Sequence, residues 1–177
     1  MTIVSLILLA LLPLQVESSR FTVSIEGERV GTEESSVVRN GDGFLATGHT
    51  QLDVNSQRVD VRSRMELDAN FNPIAYEFRS EDQVLNVDIA GQIAEIVYTE
   101  GGQRTPYDVR FPLGGMIVDD NLFHHYMLVL HRLGEAGGAV PVFVPQQITF
   151  GGARSRTCRR RVLRTAERES SVACDDG

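Results

Sequence analysis

From Phe21 to Phe111, apolar and polar residues alternate with period two, and turn residues interrupt the alternation at short intervals. Phe21-Thr-Val-Ser-Ile-Glu26 has the pattern of a half-buried strand. Further strands are expected over 32–39, 44–54, 58–67, 74–80, 84–89, 93–99 and 104–111. Asn40-Gly-Asp-Gly43 supplies the positive-φ positions of a tight hairpin. The other breaks are just as brief: Asn55-Ser56, 68–73, Glu81-Asp82, Ala90-Gly91 and 100–102. Connections this short join antiparallel neighbours, because a parallel crossover needs about a dozen residues or more. The pattern therefore predicts a mainly β fold. It is an antiparallel meander of about eight strands, forming a curved sheet or incomplete barrel.

Within the fourth strand, Val59, Val61, Ser63, Met65 and Leu67 share one face, opposite Arg58, Asp60, Arg62, Arg64 and Glu66. One side of such a sheet is wet, and the other has to be covered. A cover follows in the sequence. Residues 119–133 read as a helix, with Asp119 or Asp120 as N-cap and Gly134 as C′ residue. At 100° per residue, Leu122, Phe123, Tyr126, Met127, Val129, Leu130 and Leu133 fall on one broad arc. That arc is expected to pack on the concave face, with His124, His125, His131 and Arg132 on the solvated side. Residues 139–145 add a short apolar strand, whose Pro141 and Pro145 suit an edge or a strand end.

The ends of the chain differ from this body. Residues 3–14, IVSLILLALLPL, are uncharged and apolar, but shorter than the roughly 20 residues a membrane span needs. They fit the apolar region of a secretory signal peptide over 1–18, cut near Ser18/Ser19, although Met1-Thr2 offers no basic side chain. The expected location is the periplasm or cell envelope, with no transmembrane span in the mature chain. The domain proper is then 19–150. Beyond it, residues 151–177 carry seven Arg against four Asp/Glu and lose the alternation. They read as an arginine-rich tail, disordered or out of frame.

The net charge is −7, and the tail's +3 leaves −10 on residues 1–150, so the body would repel phosphates and nucleic acid is not an expected partner. Every basic residue is arginine, a feature of coding bias and not of chemistry. Cys158 and Cys174, both in the tail, make neither a disulfide framework nor a zinc spacing. His124 and His131 share a helix face about 10 Å apart, too far to ligate one ion. No His-Glu-x-x-His element, Gly-x-Ser-x-Gly elbow or phosphate loop is present, so no metal, cofactor or catalytic residue is assigned. A hydrolase using His49 or the helix histidines ranks last among the functions considered.

Phe21-Thr-Val-x-Ile-x-Gly-x-x-x-Gly31, Leu67-Asp-x-x-x-x-Pro73-x-x-Tyr76 and Asp120-Asn-Leu-Phe-His-His-Tyr126 together resemble a bacterial cell-envelope domain of unknown function. Such domains are similar to the lipoprotein-localisation-factor fold, an incomplete antiparallel barrel closed by helices. The resemblance covers about residues 20–150 and implies binding of lipid or acyl chains inside the half-barrel. It also implies further strands after the Val-Pro-x-x-x-Pro region, so this chain reads as C-terminally truncated. The leading expectation is a non-catalytic carrier module for a lipid or other apolar ligand. Leu122, Phe123, Tyr126, Met127 and Leu130 would form its binding face. The alternative is an envelope scaffold that recruits a protein partner and holds no small ligand.

Overall fold

The computed structural model describes residues 15–54, 57–134 and 137–155. Eight strands form one antiparallel sheet in strict sequence order: β1 (Gln15–Ile25), β2 (Glu28–Asn40), β3 (Gly43–Val54), β4 (Gln57–Leu67), β5 (Pro73–Arg79), β6 (Gln83–Ala90), β7 (Ile93–Glu100) and β8 (Gln103–Arg110). β1 and β8 do not pair, so the sheet is curved but not closed into a barrel. The expected meander is present, with every strand near its predicted place except that β1 begins six residues earlier, at Gln15. Glu26 and Gly27, both at positive φ, make the two-residue β1–β2 turn, and among the described residues short breaks at 41–42, 68–72, 80–82, 91–92 and 101–102 make others.

A second layer covers the inner face of this sheet. It comprises the short strand β9 (Met116–Ile117), the helix α1 (His124–Leu133), and the strands β10 (Gly138–Val144) and β11 (Thr149–Ser155). β10 lies at the centre of a three-stranded sheet in the order β11-β10-β9, not at an edge. Pro141 is tolerated there because β9 pairs only with Val142 and Phe143, so Pro141 faces a neighbour on the β11 side alone.

Both layers share one core. Val37, Phe44, Ala46, Val61, Met65, Leu67, Tyr76, Phe78, Leu85, Val87, Ala94 and Ile96 point inward from β2–β7, each in phase with the alternation along its strand. Met116, Ile117, Leu122, Leu128, Val129, Val140, Val142 and Phe143 meet them from the second layer. Phe111 and Phe143 pack edge to face at 6.2 Å. Burying each large apolar side chain of this kind contributes about 1.5–3 kcal/mol.

Two expected boundaries move. Residues 15–18, assigned above to a signal peptide, are the first residues of β1, and residues 1–14 lie outside the described residues. Residues 151–155, assigned to a tail, continue β11, which pairs with β10 in unbroken register from Gly138–Ser155 to Val144–Thr149. Phe150 stacks on Phe143 at 4.9 Å, an apolar anchor that the arginine-rich composition further along obscures. Cys158, Cys174 and the rest of that tail lie outside the described residues.

Candidate functional site

Between α1 and the sheet lies a buried polar cluster, and it turns the helix from its expected orientation so that His124 and His125 are buried. α1 begins at His124, not at Asp119 or Asp120, and its first turn has no side-chain cap of its own. The cap comes from β2, 90 residues away in sequence. Glu33, fully buried, accepts from the backbone N–H of Phe123 through Oε2 at 2.6 Å and from that of His124 through Oε1 at 2.8 Å. A carboxylate here satisfies orphan donors and meets the positive end of the helix dipole. Thr50 Oγ1 also donates to Oε2 at 3.1 Å.

His124 is the second half of this clamp. Its Nδ1 lies 2.6 Å from Glu33 Oε1, and its Nε2 lies 3.3 Å from Ser63 Oγ. With Nδ1 carrying the proton, the ring donates to Glu33 and accepts from Ser63, and both nitrogens are satisfied. Burial pushes the Glu33 pKa up, but the His124 ring and the backbone N–H donors of His124 and Phe123 outweigh it and hold the carboxyl below its ordinary value. The imidazole fits because position 48 is glycine: a Cβ on Gly48 would clash with the His124 ring at Cε1 and Nδ1.

A second cluster sits one residue along the helix. His125, with no exposed surface, accepts the Asp119 backbone N–H on Nδ1 at 3.1 Å, while its Nε2 has no partner among the described residues. Burial, with a smaller contribution from His124, drives its pKa well below 6.5. Asp119 takes a hydrogen bond from the Tyr76 hydroxyl at 2.7 Å, yet its burial raises its pKa to about 6. At the far end of α1, His131 reaches Glu17 of β1 at 2.7 Å and stacks on Phe71 at 5.4 Å.

The N-terminal half of the expected polar arc, His124 and His125, therefore faces inward with Leu128 and Val129, while His131 is exposed as expected and part of the apolar arc faces out. Leu122 is buried as expected. Phe123 and Met127 are half-buried, and Tyr126 and Leu130 are 57 % and 49 % exposed, so the five residues of the expected binding face do not converge on one internal space. His124 and His125, expected in water, are the buried pair. The sequence does carry a signal for this. Glu33, Thr50 and Ser63 occupy inward-facing phases of β2, β3 and β4, and Ser35, Gly48 and Ser63 are cross-strand partners, so small and polar residues gather where the core should be apolar.

No family model, curated protein or solved structure matches the chain. Chemistry must then be read from the geometry alone. Ser63, His124 and Glu33 have the connectivity of a hydrolytic relay, but their exposures are 6 %, 3 % and 0 %. The serine lies mid-strand in β4, with its hydroxyl against the His124 ring. Among the described residues no group of three or more His, Cys, Asp or Glu is placed to hold a metal, and no helix is long and apolar enough to cross a membrane. The crevice between α1 and β1–β2, bordered by Val37, Met127 and Leu128, has a volume of about 10 Å³. That is one water at most. A wider cleft of about 260 Å³ opens at the other end of the inner face, between Phe78, Leu85, Tyr98 and Tyr107 and the 3₁₀ turn Pro145–Gln147.

Proposed function

We propose that this domain is a non-catalytic interaction module of the bacterial cell envelope, one that recruits a protein partner through a free edge of its open sheet. The observation that carries this reading is what fills the space under α1: buried side chains and a hydrogen-bonded clamp, with a crevice of about 10 Å³ on its β1–β2 side. An acyl chain needs a cavity of several hundred Å³, so cargo under the helix would require α1 to lift and Glu33 to lose its partners. Among the described residues the edges β1 and β8, by contrast, present backbone groups with no strand beside them. Placement in the envelope is supported by the apolar run 3–14 and by the resemblance of residues 20–150 to envelope domains.

Cross-linking in the native envelope tests the reading, combined with native mass spectrometry of the purified protein. A recurrent protein partner and a ligand-free mass are expected; co-purifying lipid without a protein partner would overturn it. A carrier role retains one specific foothold, the aromatic cleft at β5–β8. If that cleft holds cargo, the bound mass is lost in Tyr107→Ala and retained in Leu130→Ala.

A further inference from the structure

We infer that the cleft between the inner face of β5–β8 and the 3₁₀ turn Pro145–Gln147 is a binding site for a small organic cation, an alkylammonium group. The site is separate from the sheet edges proposed above for a protein partner, and its failure leaves that role untouched. The cleft has a volume of about 260 Å³ and is lined by Phe78, Leu85, Tyr98, Tyr107, Pro145 and Ile148, with Gln83 and Gln146 beside them. Among the described residues no basic side chain lines it.

Strand register builds the aromatic wall. Phe78, Leu85 and Tyr98 are successive cross-strand partners on β5, β6 and β7, and Phe78 and Leu85 are core residues, so all three share the inner face. Tyr107 of β8 pairs with the core residue Ile96, which sets it on the same face and diagonally across from Tyr98. Diagonal neighbours on adjacent strands stand about 7–8 Å apart. Both tyrosines are half-buried, whereas Phe78 and Leu85 are buried. A methylated nitrogen between the two tyrosines comes within about 6 Å of each ring, the range over which an aromatic ring attracts a cation.

The complementary charge comes from the next position along the strands. Gln83 and Glu100 are cross-strand partners two residues from Leu85 and Tyr98, so they continue the inner face at one end of the cleft. Gln83 Nε2 donates to Glu100 Oε1 at 3.3 Å, which ties the carboxylate to a lining residue. Burial, followed by the Glu100 charge, raises the Tyr98 pKa, so the carboxylate is felt at the tyrosine hydroxyl. Among the described residues no Arg or His forms an ion pair with Glu100. Arg104 of the same hairpin pairs with Thr99 and therefore projects from the opposite face. Aromatic side chains beside one uncompensated carboxylate favour a cation over a neutral or anionic ligand.

The facing wall carries strain. Ile148 is β-branched yet sits at φ 52, in the left-handed region, and is 44 % exposed. A ligand that completes the burial of this side chain accounts for holding an apolar residue there.

The probe is choline, set against neohexyl alcohol, its neutral isostere with carbon in place of the charged nitrogen. Each is titrated into the full chain and followed by two-dimensional NMR. Choline is expected to bind with a Kd in the millimolar range and the alcohol about tenfold more weakly. A site of that affinity empties on purification, in keeping with the ligand-free mass expected above. Glu100→Gln changes an exposed side chain, and is expected to weaken choline about tenfold while leaving the alcohol unchanged. Tyr98→Leu is expected to weaken both. No saturable shift up to about 50 mM choline overturns the site, as does an alcohol that binds as well as choline or a choline affinity indifferent to Glu100→Gln. Co-sedimentation with phosphatidylcholine vesicles separates the two sources of such a group. Vesicle binding that is lost in Glu100→Gln assigns a lipid headgroup, and binding of free choline alone assigns a soluble cation.

Discussion

Glu33→Gln exchanges one carboxylate oxygen for an amide NH₂ and leaves size and shape unchanged, so it isolates the clamp that holds α1 on the sheet. In the parent chain two donors converge on each oxygen: the His124 N–H and ring on Oε1, and the Phe123 N–H and Thr50 hydroxyl on Oε2. Whichever way the amide turns, its NH₂ faces a backbone N–H, of His124 or of Phe123, that donates to that same oxygen in the parent chain. Hydrogen bonds to a charged group are each worth about 1.5–3 kcal/mol, and a buried donor left unpaired costs about 1–3 kcal/mol. Thr50 can rotate its hydroxyl away and His124 can exchange tautomers, which lowers the sum, and a loss of about 2–4 kcal/mol is expected. That is a large part of the ~5–15 kcal/mol available to a domain of this size. Urea unfolding at pH 7.5 measures it, with Glu34→Gln as control. Glu34 is the next residue of the same strand, and its ion pair with Arg20 is 65 % exposed on the acid side, so a change within about 1 kcal/mol is expected. A Glu33→Gln variant no less stable than Glu34→Gln would refute the clamp. Because the Glu33 pKa is held below its ordinary value, the clamp's contribution is present above pH ~4.5 and is lost as pH falls through the folded-state value.

Asp119 and His125 are expected to oppose each other in acid. Asp119, raised to about 6, takes up its proton in the folded state first and gains stability as pH falls from about 6 towards 3.8; His125, held well below 6.5, stays neutral when folded and loses stability below pH ~6.5. Between about pH 6 and 4.5 the two nearly cancel, and Asp119→Asn should expose a decline of up to about 1.4 kcal/mol per pH unit in urea midpoints read across pH. A flat profile in that variant would count against the assignment. Gly48→Ala should cost about 1–3 kcal/mol by overpacking against His124, whereas Gly151→Ala, with open space around it, should be nearly neutral in thermal melts. Ser63→Ala should lose about 1 kcal/mol for the hydrogen bond to His124 and leave ester hydrolysis indistinguishable from the parent, which itself should not exceed buffer; a serine-dependent rate would revive the relay as a catalytic site.

The sequence by itself determined the sheet. Period-two alternation and short turn-rich breaks leave an antiparallel meander as the only economical arrangement. Side-chain phase then assigns inner and outer faces strand by strand, as Val59 to Leu67 illustrate. The presence of one helix and its C-terminus at Gly134 were equally legible. Which way that helix faces was decided only in three dimensions. Phe123, Met127 and Leu130 are apolar enough to predict burial. But burial of one arc depends on what the opposing surface offers, and that surface offers a carboxylate, two hydroxyls and a glycine-sized gap. A buried Glu33 must find donors, and a helix N-terminus carrying two histidines supplies them at a distance of 90 residues, beyond the reach of any local pattern. The strand β11 was hidden for a related reason: Gly151 and Gly152 carry no periodic signal, and pairing with β10 is what makes them a strand. Local alternation encodes what each residue prefers to touch, while partners far apart in sequence decide which of those preferences is met.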